Sequence, residues 1–248
     1  MKLEGQVAIV TGASRGLGRA VAMAYGKEGA KVVVTSRASS PTGLLGTAQE
    51  TCEAIRSEGG EALAITCDST DDLQVEEMTK KVIDRFGKVD YLVNNAGIMI
   101  PGEPFLDIDP ARWDNLMATN ITGPYLACRH VLPYMIARRQ GHVINIGSGA
   151  ASNHRAGGSA YCSSKAALHL MSLCLAEEMK EHNIRVNVLD PGPLKSEGSS
   201  AIPWTKHDWH LRLTPEEAAP SVIGLTLQTF TGKVLTTAEY EKTWGQII

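Results

Sequence analysis

Short, uninterrupted apolar runs alternate along the chain with longer segments in which apolar residues recur every three or four positions. Six of the short runs are rich in β-branched and aliphatic residues, and we predict them as strands: residues 6–11, Lys31–Thr35, Ala62–Thr66, Tyr91–Asn94, His142–Ile146 and Ile184–Leu189. Strands without polar alternation are typical of a parallel sheet that is covered on both faces.

Helical spacing separates these strands. In residues 71–86 the apolar positions fall three and four apart, at Val75, Met78, Val82 and Phe86. Residues 17–25 show the same spacing, which gives a helix one apolar face. Strand and helix in repeated alternation predict right-handed βαβ units. We therefore expect an α/β fold with a doubly wound parallel sheet of about seven strands, as one domain over residues 1–248 with a substrate flap at about 193–213.

Composition narrows the class of protein. The 248 residues carry 24 basic and 27 acidic side chains, which gives a net charge of −3, and 43% are hydrophobic. This composition is ordinary for a globular protein and lacks the excess of basic residues expected of a nucleic-acid binder. No run reaches the roughly 18 apolar residues of a membrane span, and the first residues lack the features of a signal peptide. Five scattered cysteines without a CxxC pair predict reduced thiols and a cytoplasmic location.

A glycine-rich turn follows the first predicted strand and opens a helix. Residues 11–18 read Thr-Gly-Ala-Ser-Arg-Gly-Leu-Gly. Glycine lets the backbone approach a ligand closely, and the free N–H groups at a helix start can hold a pyrophosphate. A strand, such a turn and a helix at the first βα connection together predict dinucleotide binding. The alternative is a tight turn that serves packing alone.

The Gly-x3-Gly-x-Gly spacing after Thr11 resembles the short-chain dehydrogenase/reductase family, in particular its members similar to 3-oxoacyl carrier-protein reductases. The resemblance runs from residue 3 to about residue 198 and resumes at Leu213–Ala219 and Thr231–Leu235. It implies a Rossmann fold, a nicotinamide cofactor and an oxidoreductase activity. After Leu235 the sequence departs from the family pattern.

The second strand indicates which cofactor is used. NAD-preferring family members carry an acid at its end, where this chain has Ser36 followed by Arg37. A carboxylate would repel a 2′-phosphate, whereas a guanidinium can bind it through two hydrogen bonds. Arg15 in the glycine turn adds a second positive charge. We predict NADP(H) over NAD(H); the alternative for Arg37 is a solvated surface residue.

Tyr161 and Lys165 are candidates for proton transfer. Their separation of four places both side chains on one helix face. A phenol has an ordinary pKa near 10, and a neighbouring ammonium would lower that pKa, so that Tyr161 could act as general acid or base on a carbonyl or alcohol oxygen. Ser148, just after the fifth strand, could hydrogen-bond the same oxygen. The alternative is an ordinary amphipathic pair.

The family resemblance completes the candidate site. It implies that Asn120 holds a water in a proton relay to Lys165, which gives a tetrad of Asn120, Ser148, Tyr161 and Lys165. It further implies that Asp68 bonds the adenine and that the backbone after Asp190 holds the nicotinamide carboxamide. The implied cofactor contacts are Gly12, Ser14, Arg15, Gly16, Leu17, Gly18, Ser36, Arg37, Asp68, Ser69, Asn94, Ala96, Gly97, Tyr161, Lys165, Pro191, Gly192 and Leu194.

The predicted function is an NADPH-dependent oxidoreductase that interconverts a small-molecule carbonyl and a secondary alcohol. One alternative is a non-catalytic NADP(H)-binding sensor on the same fold, which would not need the Tyr161–Lys165 pair. Another is an extended epimerase or dehydratase, whose usual additional substrate domain does not fit in 248 residues.

Two further features concern partners. His207 and His210 are spaced like a metal pair, but no third ligand is apparent, so we interpret them as surface residues and expect no metal. The helix after Tyr161 is apolar on most sides, which predicts a subunit interface in a homotetramer or homodimer.

Overall fold

The computed structural model describes residues 1–38, 46–100, 102–200 and 208–245. In these ranges seven parallel strands form one sheet in the order β3-β2-β1-β4-β5-β6-β7. The strands are β1 Val7–Val10, β2 Lys31–Ser36, β3 Glu61–Thr66, β4 Tyr91–Asn94, β5 Gly141–Ile146, β6 Ile184–Asp190 and β7 Val234–Thr236. The predicted α/β class, strand number and parallel sheet are confirmed.

Helices cover both faces of this sheet. They are α1 Gly16–Lys27, α2 Ala48–Ser57, α3 Asp72–Phe86, α4 Pro110–Met117, α5 Gly123–Arg138, α6 Ser159–Met179, α7 Glu197–Ser200 and α8 Pro215–Thr226. A π-helical turn, Ala118–Thr122, joins α4 to α5. None of the helices in the described ranges combines the length and apolarity that crossing a membrane requires.

Strand β1 shows why the central strands lack polar alternation. Ala8 and Val10 pack in the hydrophobic cluster formed with α1, α2 and α8, whereas Val7 and Ile9 pack in the cluster formed with α3, α5 and α6. All four residues are at most 1% exposed. Because both faces of the strand are buried, every position favours an apolar residue.

Side-chain caps fix where several helices begin. Thr47 and Glu50 form a reciprocal capping box at α2, and Thr214 and Glu217 form another at α8. The Asp71 side chain accepts a hydrogen bond from the main chain of Gln74 at the start of α3. Such caps satisfy helix N–H groups that have no intrahelical partner.

The carboxyl ends of all seven strands lie along one edge of the sheet. Between β1 and β4 the strand order reverses direction, and ligands of open α/β sheets bind in the crevice at this point. The glycine turn follows β1, and Ser148 follows β5, so the topology brings the predicted chemistry to this one edge.

The predicted substrate flap is described over 193–200 and 208–213. It contains helix α7 and a single 3₁₀ turn, Trp209–Leu211, and its two ends meet where the main-chain N–H of Lys195 donates to the carbonyl of Leu213 at 2.7 Å. The rest of the expected flap, including His207, lies outside the described residues.

Candidate active site

The glycine turn leads directly into the start of α1. The helix begins at Gly16, its N-cap residue Arg15 makes no side-chain cap hydrogen bond, and the first turn contains no acidic residue. An uncapped helix start of this kind is suited to an anion. The arrangement therefore fits the pyrophosphate of a dinucleotide, with Ser14, Leu17 and Gly18 in the same turn.

Close packing explains the glycine at position 12. Gly12 has a φ of +62°, and a Cβ there would lie 2.8 Å from the Cα of Ala96. A Cβ on Gly18 would likewise collide with the side-chain amide of Asn95. Both glycines are needed for the turn to lie against the loop after β4.

Thr11 and Asn95 connect these two loops through hydrogen bonds. The Thr11 hydroxyl oxygen accepts from the main-chain N–H groups of Asn95 and Ala96, each at 3.0 Å. The Asn95 amide donates in turn to the carbonyls of Thr11 at 2.8 Å and Gly12 at 3.1 Å. The sequence analysis did not identify Asn95 as a site residue. Its position between the predicted contact residues Asn94 and Ala96 could have indicated it.

The side chain of Asn94 connects parts of the core. Its side chain is 3% exposed and points into the protein, where Nδ2 donates to Oδ1 of Asn145 on β5 at 2.8 Å. Asn145 donates in turn to the hydroxyl of Ser172 on α6 at 2.7 Å. The amide of Asn94 thus ties β4 to β5 and α6, and only its backbone is left to face a cofactor.

The predicted basic residues lie at the end of β2 and in the glycine turn. Ser36 and Arg37 are half-buried at the end of β2, and Arg15 is half-buried in the glycine turn. Asp68 follows β3, and its Oδ1 already accepts hydrogen bonds from the N–H and hydroxyl of Thr70. Ser69 lies against the start of α5, where a Cβ on Gly123 would be 3.1 Å from its hydroxyl oxygen.

The segment after β6 reaches back to the glycine turn. Pro191 is buried, Gly192 has a φ of +71°, and Leu194 is half-buried against the core. A Cβ on Gly16 would lie 3.6 Å from both the Ser196 Cβ and the Glu197 Oε2, so the flap begins beside the helix start.

Tyr161 and Ser148 are brought together by α6 and the turn after β5. Both side chains are half-buried, and they lie near enough for the Ser148 hydroxyl to affect the pKa of the Tyr161 phenol. Burial raises the pKa of the Tyr161 phenol above its ordinary value; the Ser148 hydrogen bond lowers that pKa, and the nearby Asp190 carboxylate raises it. The net direction is opposite to the sequence prediction, because desolvation outweighs the effect of neighbouring cations.

Lys165 lies one helical turn after Tyr161 and is 6% exposed. Its Nζ lies 5.8 Å from the centroid of the Tyr161 ring and donates to the carbonyl of Ile146, at the end of β5, at 2.9 Å. Burial lowers the pKa of the Lys165 ammonium to about 8, and the Asp190 carboxylate acts in the opposite direction. The ammonium is therefore still largely protonated at neutral pH.

Asn120 lies in the π-helical turn and is 1% exposed. Its Oδ1 accepts from the N–H of Ile98 at 2.9 Å, and its Nδ2 donates to the Ile98 carbonyl and to the Ser164 hydroxyl, each at 3.0 Å. A Cβ on Gly97 would lie 3.4 Å from Oδ1 of Asn120 and 3.8 Å from Nζ of Lys165. Gly97 therefore lies beside both the Asn120 amide and the Lys165 ammonium, and little room is left between them.

His169 is a part of this site that the sequence analysis missed. Its Nε2 accepts a hydrogen bond from the main-chain N–H of Ser148 at 3.3 Å. Burial lowers the pKa of His169, the Lys165 ammonium lowers it further, and the Asp190 carboxylate raises it. The available signal was its position four residues after Lys165, on the same face of the helix.

A cavity of about 480 Å³ lies beside the first turn of α6 and is lined by residues that include Phe105, His154, Arg155 and Cys162. His154 is an exposed residue of this lining. Within the described residues no group of three or more His, Cys, Asp or Glu side chains could hold a metal, and His207 is not among those residues.

Comparisons with known proteins agree with this geometry. The sequence profile of the short chain dehydrogenase family matches residues 6–206. A 2,3-dihydro-2,3-dihydroxybenzoate dehydrogenase of Bacillus subtilis is 33% identical over 92% of this chain and 81% of its own length. A 3-oxoacyl-(acyl-carrier-protein) reductase of Vibrio cholerae is 36% identical over 82% of this chain and 79% of its own. The crystal structure of a metagenomic short-chain oxidoreductase in complex with NADP superposes with a TM-score of 0.79 at 38% identity, covering 95% of this chain and 98% of that one.

Proposed function

The chain belongs to the short-chain dehydrogenase/reductase family of oxidoreductases, and from this membership we propose that it is an NADP(H)-dependent enzyme in which Tyr161 acts as general acid and base. The family acts on CH–OH and C=O groups. The observation that carries the proposal is that the Tyr161 phenol lies close enough to the Ser148 hydroxyl for its pKa to be lowered by it, with Nζ of Lys165 at 5.8 Å from the centroid of the same ring.

Tyr161 acts as the acid in the direction of carbonyl reduction. Because burial raises its pKa, the phenol is protonated at neutral pH and can donate that proton to the oxygen of the substrate carbonyl. The Ser148 hydroxyl, which lies near the phenol, orients the same oxygen and stabilises its developing negative charge. In the oxidative direction the two residues reverse these roles.

Lys165 stabilises the phenolate that forms when the proton leaves. Its ammonium is held in place by the carbonyl of Ile146, so the positive charge is fixed before the reaction begins. Asn120 forms hydrogen bonds with the backbone of Ile98, the residue after Gly97, and with the hydroxyl of Ser164, the residue before Lys165. We assign to Asn120 the placement of a water that returns a proton to Lys165.

The residues at the crevice fit a nicotinamide dinucleotide, which supplies or accepts the hydride when it is bound. The uncapped start of α1 would hold the pyrophosphate, and the backbone around Gly192 would hold the carboxamide. Arg37 and Arg15 would bind the 2′-phosphate, since Ser36 stands where a repelling carboxylate would otherwise be. This charge pattern favours NADP(H) over NAD(H).

Exposed apolar side chains favour self-association. Leu170 on α6 is 64% exposed, and Tyr125 and Tyr134 on α5 are 47% and 39% exposed. Burial of such residues stabilises an oligomer, and we propose a homotetramer or homodimer. Five free thiols, of which three are buried, favour a reducing compartment, which we propose is the cytoplasm.

A substrate panel with both cofactors tests the function. The purified protein would be assayed by nicotinamide absorbance with cyclic ketones, a 3-oxoacyl thioester and the matching alcohols. We expect turnover with NADPH, and in Tyr161→Phe a loss of roughly 10²- to 10⁴-fold in kcat with NADPH binding retained. The matched control is Tyr134→Phe, which removes an exposed phenol on α5.

Two outcomes would contradict the proposal. Undiminished turnover in Tyr161→Phe would remove the general acid from the mechanism. A wild-type protein that binds NADPH tightly but reduces no member of the panel would favour the non-catalytic sensor.

A further inference from the structure

Ser164 lies on α6 between Tyr161 and Lys165, and the sequence analysis assigned it no role. The structure buries this residue completely, at 0% exposure. Its hydroxyl donates a hydrogen bond to the main-chain carbonyl of Tyr161 at 2.8 Å. A serine inside a helix often bonds a carbonyl of the preceding turn in this way, so this contact alone indicates no function.

A second hydrogen bond distinguishes Ser164 from an ordinary helical serine. Nδ2 of Asn120, which is 44 positions earlier in the chain, donates to its hydroxyl oxygen at 3.0 Å. A serine hydroxyl has one proton, and because this proton goes to the Tyr161 carbonyl, the oxygen accepts from Asn120. The Asn120 amide, the Ser164 hydroxyl and the Tyr161 carbonyl therefore form one continuous hydrogen-bond chain.

The remaining contacts of Asn120 connect this hydrogen-bond chain to the loop after β4. Oδ1 of Asn120 accepts from the N–H of Ile98 at 2.9 Å, and Nδ2 also donates to the Ile98 carbonyl at 3.0 Å. Both protons of Nδ2 are thus in use, one on the loop and one on α6. Since Asn120 is 1% exposed, loss of the Ser164 oxygen would leave a buried N–H without its partner, which is unfavourable.

The start of α6 lacks the side-chain cap that other helices have. Its N-cap residue is Gly158, and within the described ranges no side-chain cap hydrogen bond forms there, in contrast to α2, α3 and α8. Tyr161 stands in this uncapped first turn, because α6 begins at Ser159. The bond from Asn120 through Ser164 gives the turn an anchor of a kind that a cap would otherwise supply.

We propose that Ser164 is a positioning residue for Tyr161. Its hydroxyl fastens the first turn of α6 to Asn120, and through Asn120 to the loop after β4, so that the phenol is held in place for proton transfer. A displacement of about 1 Å at a reacting group can cost about 10²-fold in rate, which makes such an anchor important for the reaction. The inference rests on the proposed function and adds a residue to its machinery.

An alanine variant tests the role of the hydroxyl. Ser164→Ala removes both hydrogen bonds, and with NADPH and a ketone that the wild type reduces we expect kcat to fall by roughly tenfold to a hundredfold. The KM values should change by less than about twofold, because Ser164 is buried beneath the site and touches neither ligand. Ser164→Cys keeps the volume and leaves a weak donor and acceptor, so its kcat should lie between the two, and it serves as the test where Ser164→Ala does not fold.

Ser172 provides a matched control on the same helix. It is 1% exposed, its hydroxyl donates to the carbonyl of Leu168 at 2.6 Å, and it accepts from the amide of Asn145 at 2.7 Å. This arrangement repeats that of Ser164 two helical turns further from Tyr161. Ser172→Ala should lower Tm about as much as Ser164→Ala does, since each leaves one buried amide N–H unpaired, but should lower kcat by less than about threefold.

A double variant determines whether Ser164 acts through the phenol. In the Tyr161→Phe background there is no phenol left to position, so adding Ser164→Ala should lower kcat further by less than about twofold. A merely structural role would produce the same loss in both backgrounds. Single-turnover measurements with NADPH already bound would give the rate in the slow variants.

Failure of the inference differs from failure of the proposed function. Equal kcat losses in Ser164→Ala and Ser172→Ala, or equal losses from Ser164→Ala with and without Tyr161→Phe, would overturn the positioning role. Wild-type kcat in both Ser164→Ala and Ser164→Cys would do the same. Undiminished turnover in Tyr161→Phe alone would overturn the proposed function itself, and the inference with it.

Discussion

The main-chain N–H of Ser148 donates a hydrogen bond to Nε2 of His169 across 3.3 Å. An imidazole nitrogen accepts a hydrogen bond only when it carries no proton, so His169 is neutral in this contact. Its lowered pKa, which results first from burial and then from the Lys165 ammonium, keeps it neutral at physiological pH. His169 is therefore a positioning residue for the turn that carries the Ser148 hydroxyl.

Replacing His169 should affect catalysis through Ser148. His169→Leu removes the acceptor, and we expect kcat to fall by about fivefold, since a lost hydrogen bond of this kind is worth about 1 kcal/mol. His169→Gln offers an amide oxygen at a similar reach and should recover most of the rate. Steady-state kinetics with circular dichroism of each variant would distinguish this effect from unfolding, and equal rates in all three proteins would refute the role.

The pH profile gives a second test of His169. Protonation turns Nε2 into a donor that faces the Ser148 N–H, so activity should fall as the pH drops through the pKa of His169. Because that pKa is lowered, the fall should lie below the ordinary histidine range near 6.5. The acidic limb should be absent in His169→Gln, and its persistence there would assign the limb to another group.

Cofactor preference should depend on Arg37. Arg37→Ala removes a guanidinium from the end of β2, and we expect the KM for NADPH to rise roughly tenfold to a hundredfold with little change for NADH. Arg85→Ala, which removes an exposed guanidinium near the opposite edge of the sheet, is the control. An equal rise in the KM for NADPH and for NADH would show that Arg37 does not bind the 2′-phosphate.

Stability should fall in acid because of His142. This residue is fully buried in β5, where Nε2 pairs with the amide of Asn187 at 2.9 Å and Nδ1 faces the carbonyl of Thr226. Burial and, to a smaller extent, the cation of Arg185 together lower the pKa of His142 to about 3. Between pH 6.5 and 3 the unfolded chain therefore binds the extra proton, and stability is lost as the pH falls.

Urea unfolding at two pH values measures this effect. The contribution of His142 is fully present above about pH 6.5 and decreases by up to about 1.4 kcal/mol per pH unit below it. His142→Gln lacks the ionisable ring and should show a smaller decrease in unfolding free energy between pH 7.5 and pH 5.5, chosen as about one unit on either side of 6.5. Parallel decreases in both proteins would show that other groups control acid stability.

The sequence predicted the fold closely because the sheet is buried on both faces. Strand β1 is buried at every position and consists of Val7, Ala8, Ile9 and Val10, which is a continuous apolar run that the sequence pattern reveals. The predicted ends of the strands lie within about two residues of the ends in the structure. The small differences arise because hydrogen bonding to a neighbouring strand, and not composition, decides where a strand ends. The proximity of Tyr161, Lys165 and Ser148 could be predicted because Tyr161 and Lys165 lie one turn apart on one helix and Ser148 directly follows a strand of the sheet.

Other features depend on contacts between distant segments. The inward orientation of Asn94 requires Asn145, which is 51 positions away on another strand. The upward shift of the Tyr161 pKa reflects how much of the ring the fold covers, which the spacing to Lys165 does not encode. How deeply a side chain is buried and which residue it hydrogen-bonds depend on how the whole chain folds. The spacing of two residues along one helix can be read directly from the sequence.

The hydrogen bonds that join Thr11 and Gly12 to Asn95 and Ala96 limit how this enzyme can be recombined with its relatives. A chimera that takes only segment 11–18 from a relative would place it against a 94–97 segment to which it is not fitted. Amide groups that pair in this protein would then lack hydrogen-bond partners, and side chains would collide with the backbone. Exchange of cofactor specificity by chimera should therefore succeed only when segments 11–18 and 94–97 are transplanted as a matched pair.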